Sequence, residues 1–264
     1  MPQARLLAIW RFFLLILIFV TFTPIYWTLL KINQNLGFRF GRFYLSTWRK
    51  CIGHQLIIKG ELSKAEPTLF VSNHSSYVDI LVLGTFVPAR FVAKQEVATW
   101  PVMGWLATKQ GTLYIDRSRT AIVDGTDTLL EYLDKGESLI LFPEGTTSDG
   151  CRILPFGSSF FDVAMKKNIT VQPITVTYAG WDRLPMPHYM RKFCGWFSPD
   201  VDLLPHLWAI AQWGTVQVVV DLHPPLKAQD FASRKELCQA SFHAVRNGLL
   251  KAFESPISHQ MSQA

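Results

Sequence analysis

The amino-acid sequence predicts an α/β fold: a mixed, mostly parallel sheet covered by helices, preceded by a helical N-terminal segment that associates with a membrane. Three observations support this fold class. After residue 53, short apolar runs alternate with longer amphipathic stretches, which is the pattern of strands followed by helices. Two of these runs end in polar loops, as strands do at the active edge of an α/β sheet. Residues 1–52 are apolar and basic, unlike the rest of the chain.

The apolar run at residues 12–30 is expected to anchor the protein. Its 19 residues carry no charge, and a helix of that length, at about 1.5 Å per residue, would just span a bilayer core of about 30 Å. Pro24 and three threonines weaken a spanning interpretation, so a transmembrane helix and a re-entrant or interfacial anchor both remain open. A signal peptide is disfavoured because no small-residue cleavage site follows the run.

The charge distribution points to a membrane surface as the partner of this segment. Residues 1–60 contain eight basic side chains and no acidic one, whereas the whole chain has a net charge of +6. Basic residues beside an apolar helix attract anionic lipid by about 1 kcal/mol each. Residues 38–52 mix aromatic rings with four of these cations, which is typical of the lipid–water interface. We therefore expect attachment to the cytoplasmic face of the inner or plasma membrane, and no nucleic-acid partner, because no nucleic-acid-binding module is present.

The remainder, residues 53–264, is interpreted as one α/β domain, and its cysteine usage excludes some site types. Cys51, Cys151, Cys194 and Cys238 are widely spaced, so neither a zinc site nor a disulfide framework is indicated, and no metal or cofactor is expected. Strands are predicted at 55–59, 68–72, 90–93, 111–116, 138–142, 170–178 and 215–222, and helices at 75–86, 100–108, 119–135, 157–167 and 231–253. Residues 181–213, rich in proline and tryptophan, are predicted to be an irregular insertion at the rim of the domain that touches lipid.

The first polar loop, at residues 73–79, carries a candidate catalytic pair. His74 and Asp79 would diverge by about 140° on one continuous helix. They can converge if His74 lies in the loop and Asp79 in the first turns of the next helix, with Ser75 or Ser76 as its N-cap. The carboxylate would then hold the Nδ1 proton and leave Nε2 free to act as a general base.

The second polar loop, at residues 142–148, offers candidate substrate-binding groups. Glu144 could bind the hydroxyls of an acceptor, with a helix N-cap interaction as the alternative. Gly145 would let the backbone approach a ligand closely. Thr146 and Thr147 supply hydroxyl groups that can donate hydrogen bonds.

Four blocks in this order resemble the glycerolipid (lysophospholipid) acyltransferase family, whose members include the 1-acylglycerol-3-phosphate acyltransferases. They are His-x-x-x-x-Asp at 74–79, Phe-Pro-Glu-Gly-Thr at 142–146, and two weaker blocks at 111–117 and 171–174. The resemblance implies an O-acyltransferase that moves an acyl group from acyl-CoA or acyl carrier protein to a lysolipid hydroxyl. His74 would be the base, Asp79 its orienter, and Lys94 would polarise the thioester carbonyl. Arg117 or the nearby Arg119 would meet the anionic head group, with a surface salt bridge as the alternative.

The position after Glu-Gly-Thr departs from the family pattern and leaves the acceptor open. Phosphate-handling members often carry arginine there, whereas this chain has Thr147, which cannot give a bidentate grip on phosphate. Lysophosphatidic acid is ranked narrowly ahead of lyso-ornithine lipid, although residues 200–208 also resemble members that acylate lyso-ornithine lipid. The two other hypotheses are a serine esterase using Ser75 or Ser76, disfavoured because Gly-x-Ser-x-Gly is absent, and a non-catalytic lipid-binding protein.

Overall fold

The computed structural model describes residues 2–100, 103–115, 122–196 and 201–254, and a mixed sheet forms its centre. Within these ranges each predicted strand is present within one to three residues of its expected bounds. Two short strands, β7 and β9, were not predicted. The strands are β1 (His54–Lys59), β2 (Thr68–Ser72), β3 (Arg90–Lys94), β4 (Leu113–Ile115), β5 (Leu139–Leu141), β6 (Thr170–Trp181), β7 (Leu184–Pro185), β8 (Val216–Leu222) and β9 (Leu226–Lys227).

The strand order places the two polar loops side by side. The order is β1-β8-β6-β2-β5-β3-β4, with β7 and β9 also paired to β6. Along this path only β6 and β8 run antiparallel, so the predicted mixed, mostly parallel sheet is confirmed. Strands β2 and β5 are parallel neighbours, with Leu69 opposite Leu139. The loops that follow them therefore leave the same edge of the sheet.

Helices cover both faces of the sheet. They are α1 (Pro2–Ile32), α2 (Gln34–Cys51), α3 (Val78–Leu83), α4 (Met103–Lys109), α5 (Ile122–Asp134), α6 (Asp162–Lys167), α7 (His188–Cys194), α8 (Leu203–Ala211) and α9 (Arg234–Glu254). Side chains of β2 alternate between the two cores, as a strand covered on both sides requires. Phe70 packs with Val82 of α3, and Leu69 and Val71 pack in the cluster that contains Leu237 of α9.

The rim insertion differs from its prediction, because residues 181–213 contain strand β7 and helices α7 and α8. Its prolines suggested irregular backbone, but they occupy positions that helices tolerate. Pro187 is the residue before α7, and Pro205 is the third residue of α8. The first N–H groups of a helix have no partner within the helix, so proline costs little there.

The first two helices form an antiparallel hairpin that lies along the domain. Near one end of α1, the buried Arg11 donates to the carbonyl oxygens of Ala211 and Gly214 at 3.2 and 3.1 Å. Near the other end, the Tyr26 hydroxyl donates to the Lys109 carbonyl at 2.9 Å. These contacts lie 15 residues apart on α1, which corresponds to about 22 Å of helix. The helix therefore follows the domain surface over about half of its length of about 46 Å.

The outer face of α1 is apolar and exposed. The helix is long and apolar enough to cross a membrane by length and composition, and only 17% of its apolar window is buried. Exposed members of this face include Ile9, Phe13, Ile16 and Val20, which recur at helical spacing. Such a face needs an apolar covering. The predicted boundary at residues 52/53 falls between the end of α2 and the start of β1, although Leu15 of α1 packs into the main core.

Candidate active site

The two polar loops are joined by backbone hydrogen bonds at the ends of β2 and β5. The Ser148 N–H donates to the His74 carbonyl at 2.8 Å. The His74 N–H donates to the Glu144 carboxylate, also at 2.8 Å. Each motif therefore fixes the other, because both the N–H and the carbonyl oxygen of His74 are hydrogen-bonded to the second loop.

His74 and Asp79 form the predicted pair. His74 Nδ1 lies 3.0 Å from Asp79 Oδ2, and the Asp79 side chain is fully buried. The convergence arises as expected, with His74 in the loop and Asp79 as the second residue of α3. With the carboxylate ionised, Nδ1 carries the proton that it donates, and Nε2 keeps its lone pair.

A set of hydrogen bonds stabilises the buried carboxylate of Asp79. The N–H groups of Ser75 and Ser76 donate to Oδ2 at 2.7 and 2.9 Å, and the Tyr178 hydroxyl donates to Oδ1 at 2.8 Å. Burial first, and then the nearby charge of Asp79, raise the pKa of Tyr178 well above its ordinary value, so its hydroxyl stays protonated as a donor. An ionised carboxylate without a cation is stable here because four donors surround it.

The serines have a different structural role from the predicted one. Tyr77, not Ser75 or Ser76, is the N-cap residue of α3, and it makes no side-chain cap bond. Ser76 Oγ accepts from the Val78 N–H at 3.3 Å, while both serine amides bind Asp79. Within the described part of the chain, neither hydroxyl bonds the imidazole of His74. The pair therefore has no serine in position to act as a nucleophile.

The imidazole of His74 packs flat against an aromatic ring at the edge of a cavity. The His74 and Phe142 ring centroids are 3.9 Å apart with an interplanar angle of 14°, and Phe91 stacks behind Phe142 at 6.3 Å. The His74 side chain is 18% exposed. Stacking fixes the ring plane and Asp79 fixes its rotation, so the open side of the imidazole faces the cavity.

Glu144 holds the loop backbone. Its carboxylate accepts the N–H of His74 and the N–H of Leu154, both at 2.8 Å. Burial, opposed by these two hydrogen bonds, raises the pKa of Glu144 to about 8. The side chain does not line the cavity described below. Binding of acceptor hydroxyls by Glu144 stays a prediction, and the contacts present are those of a residue that positions His74.

The residues after Glu144 connect the site to the rim. Gly145 has φ +73°, a conformation that favours glycine, and it lines the cavity together with the exposed Thr146. Thr147 Oγ1 donates to the Trp196 carbonyl at 2.7 Å, and the Trp196 N–H donates to the Ser75 carbonyl, also at 2.7 Å. The hydroxyl of Thr147 is thus committed to the backbone of the rim insertion.

The cavity beside His74 has a volume of about 540 Å³ and a largely apolar wall. Lys94 lies on this wall with its side chain exposed, as its predicted role requires. Arg117 lies outside the described residues. Sequence reasoning did not assign roles to Tyr178, Phe142, Trp196 or Asp202. The described lining residues are His74, Tyr77, Ile80, Phe91, Val92, Ala93, Lys94, Val97, Trp100, Ala107, Gln110, Thr112, Phe142, Gly145, Thr146, Thr147, Trp196, Val201, Asp202 and Leu203.

Comparisons with known proteins agree with this fold. A family model described as "Acyltransferase" matches residues 55–177. The chain is 33% identical over 231 residues to lyso-ornithine lipid O-acyltransferase of Brucella abortus, covering 84% of this chain and 86% of that protein. It is 30% identical over 183 residues to 1-acyl-sn-glycerol-3-phosphate acyltransferase of Neisseria gonorrhoeae, covering 67% of this chain and 68% of that protein.

A solved structure has the same fold. It is the 1-acyl-sn-glycerophosphate acyltransferase PlsC of Thermotoga maritima, with a TM-score of 0.66, 19% identity, and coverage of 93% of this chain and 94% of that one. Together with the family match, the similarity to these two relatives defines this protein as an acyltransferase. It belongs to the family of lysolipid acyltransferases that contains the lyso-ornithine lipid and 1-acylglycerol-3-phosphate enzymes.

Proposed function

We propose that this protein transfers an acyl group from an acyl thioester to the hydroxyl of lyso-ornithine lipid, with His74 as general base. The observation that carries the reaction is the pair itself: Asp79 is fully buried and fixes Nδ1 of His74 at 3.0 Å, while the ring lies on the cavity. This is the arrangement that deprotonates an alcohol. Since no described serine bonds the imidazole, transfer is direct and passes through no acyl-enzyme.

The proposed reaction exchanges the C–S bond of the thioester for a C–O bond and passes one proton through His74. His74 Nε2 takes the proton of the acceptor hydroxyl while that oxygen attacks the thioester carbonyl carbon. The C–S bond then breaks, and the thiolate leaves with the proton that His74 returns, giving an ester and a free thiol. Asp79 stabilises the imidazolium that forms between the two proton transfers. The exposed Lys94 on the same wall polarises the thioester carbonyl.

Two observations favour lyso-ornithine lipid as the acceptor over lysophosphatidic acid. Similarity to the Brucella abortus enzyme extends over 84% of the chain, against 67% for the Neisseria gonorrhoeae enzyme. Thr147 replaces a phosphate-gripping arginine, and its hydroxyl already donates to Trp196. Lysophosphatidic acid is the second candidate. The donor belongs to the acyl-CoA and acyl carrier protein class, and no cofactor takes part in the proposed step.

The apolar surface formed by α1 and the rim helices would fit a membrane that lies parallel to the axis of α1. A helix that contacts the domain near both ends cannot leave it to cross a bilayer, so its outer apolar face would lie within one leaflet. Exposed apolar side chains of the rim helices extend this face: Tyr189 and Phe193 on α7, and Leu204 on α8. The cytoplasmic leaflet is the proposed location, because anionic lipids there attract the basic N-terminal segment.

The test is an acyl-transfer assay of purified protein in detergent against both lysolipids with each donor. Wild type is expected to acylate lyso-ornithine lipid. His74→Ala is expected to lower kcat about 10²- to 10⁴-fold while the protein stays folded, with a lower thermal midpoint because Asp79 loses one of its four donors. The control is the Ser75→Ala, Ser76→Ala double variant, which keeps both amide bonds to Asp79 and should lose much less. A folded His74→Ala protein with wild-type turnover contradicts the mechanism, and wild type active only on lysophosphatidic acid contradicts the acceptor.

A further inference from the structure

The charged side chains on the cavity wall have opposite signs. Among the described lining residues, Lys94 and Asp202 are the two that carry a full charge at neutral pH. They come from β3 and from the start of α8, which are far apart in sequence. A cavity that received only an anion would gain nothing from an exposed carboxylate on its wall. The presence of Asp202 there therefore needs an explanation.

The usual structural role of such an aspartate does not explain it. Asp202 is the N-cap residue of α8, where an aspartate ordinarily accepts a hydrogen bond from the second or third N–H of its helix. Asp202 makes no side-chain cap bond, and its backbone carbonyl accepts from the His206 N–H at 3.1 Å. No described cation lies within ion-pair distance of its carboxylate. The charge is exposed on the cavity without a described partner.

The carboxylate is carried on a fixed element. His206, one turn into α8, is buried and lies between two partners: its Nδ1 accepts from the Tyr77 hydroxyl at 3.2 Å, and its Nε2 donates to the Phe193 carbonyl at 3.0 Å. Tyr77 belongs to the His74 loop. The start of α8 is thus held at a set distance from the catalytic pair, which a group that orients a substrate requires.

We propose that Asp202 binds the ammonium group of a zwitterionic acceptor and thereby selects lyso-ornithine lipid over phosphate-headed lysolipids. The inference rests on the function proposed above. Ornithine whose α-amino group is acylated keeps a carboxylate and a side-chain ammonium, so its head group carries one charge of each sign at neutral pH. Asp202 matches the ammonium, while Lys94 keeps its proposed role at the thioester carbonyl. A phosphomonoester carries close to two negative charges and is repelled by Asp202.

A two-by-two comparison of enzyme and acceptor tests this pairing. Wild type and Asp202→Asn are each assayed on lyso-ornithine lipid and on the same lipid with its side-chain amine acetylated, which removes the positive charge. Asp202→Asn should raise KM and lower kcat/KM for the native acceptor about 1.5- to fivefold, the range expected of an exposed ion pair. On the acetylated acceptor the two enzymes should be equal. Asp230→Asn, which removes another exposed carboxylate outside the cavity, is the matched control.

The outcomes separate this inference from the function on which it rests. If wild type does not acylate lyso-ornithine lipid, both are overturned. If wild type does and Asp202→Asn lowers kcat/KM equally for native and acetylated acceptor, Asp202 has only a structural role and the inference alone is overturned. If Asp202→Asn also gains kcat/KM on lysophosphatidic acid, repulsion of phosphate by Asp202 is supported directly.

Discussion

At the scale of single residues, the site depends on two carboxylates that receive different numbers of hydrogen bonds. Asp79 receives four hydrogen bonds within 3.0 Å, one of them from His74, and serves as a buried anion. Glu144 receives two backbone N–H groups, and burial raises its pKa to about 8. Asp79 therefore orients the imidazole, whereas Glu144 joins the two loops and can hold a proton at neutral pH.

The raised pKa of Glu144 predicts a pH-dependent stability. The folded protein holds this proton more tightly than the unfolded chain, whose glutamate titrates near 4.5. The stabilisation is therefore complete below about pH 4.5 and is lost as pH rises towards 8. Between pH 5 and 8, the thermal midpoint of wild type should fall more than that of Glu144→Gln, which cannot titrate. Differential scanning fluorimetry in detergent measures both.

The same experiment distinguishes burial from hydrogen bonding at Glu144. If the two N–H donors outweighed burial, the carboxylate would stay ionised throughout, and the gap between wild type and Glu144→Gln would be constant with pH. Such a result would contradict the raised pKa. Glu144→Gln also replaces one acceptor oxygen with a donor, so one of the N–H groups of His74 and Leu154 loses its partner, at a cost of about 1–3 kcal/mol.

The sequence predicted some of these residues and could not predict others, for a physical reason. His74, Asp79 and Glu144 lie in short motifs, and the parallel pairing of β2 and β5 brings the motifs together. Tyr178 reaches Asp79 from 99 positions away. No local pattern marks which residue of β6 points at a carboxylate on another element. Asp202 lies in residues 200–208, for which the sequence offered only a resemblance to other acyltransferases. Its position on the cavity wall depends on how α8 packs.

At the scale of elements, strands were predicted more accurately than the packing of helices. The apolar runs fix the strands, because a strand covered on both sides needs several apolar residues in sequence. The packing of α1 against α2 was not predicted. It depends on Gly37 and Gly41, one turn apart on α2, which allow close approach to Leu30 and Tyr26. Glycine ordinarily lowers the stability of a helix, so two glycines facing α1 indicate that close packing of the two helices offsets this loss.

A methyl group at position 37 should therefore destabilise the protein. A Cβ on Gly37 would lie 2.5 Å from Leu30 Cδ2 and 3.0 Å from Leu30 Cα, so rotation of the leucine cannot relieve it fully. On an exposed helix, Gly→Ala stabilises by about 0.5–1 kcal/mol; overpacking costs about 1–3 kcal/mol. A fall in the thermal midpoint of Gly37→Ala would therefore show that α1 and α2 pack closely at this position. A rise would show that α1 and α2 are not packed closely here.

At the scale of the whole molecule, the position of the cavity relative to the membrane follows from α1 and the rim. The ring centroids of Phe12 on α1 and Trp208 on α8 are 5.4 Å apart, which joins the two apolar surfaces. Leu203 of α8 lines the cavity, and its neighbour Leu204 is 68% exposed. In the proposed arrangement, a lysolipid enters from the leaflet with its hydroxyl at His74, its head group at Asp202 and the end of its chain still in lipid. This arrangement would avoid extracting the whole acceptor into water.

The orientation of α1 distinguishes this arrangement from a spanning anchor. Ile9, Val20 and Trp27 lie on the same exposed side of the helix. If α1 lies in the membrane plane, nitroxide labels on cysteines at these positions, in a background with the four native cysteines replaced by alanine, should report nearly equal depths in vesicles. A spanning helix would separate positions 9 and 27 by about 27 Å along the membrane normal, with one label near each surface. Accessibility of the labels to oxygen and to a water-soluble nickel chelate measures the depth. Shallow labels at 9 and 27 together with a deep label at 20 would rule out the in-plane arrangement, and with it the entry of the acceptor beside α8.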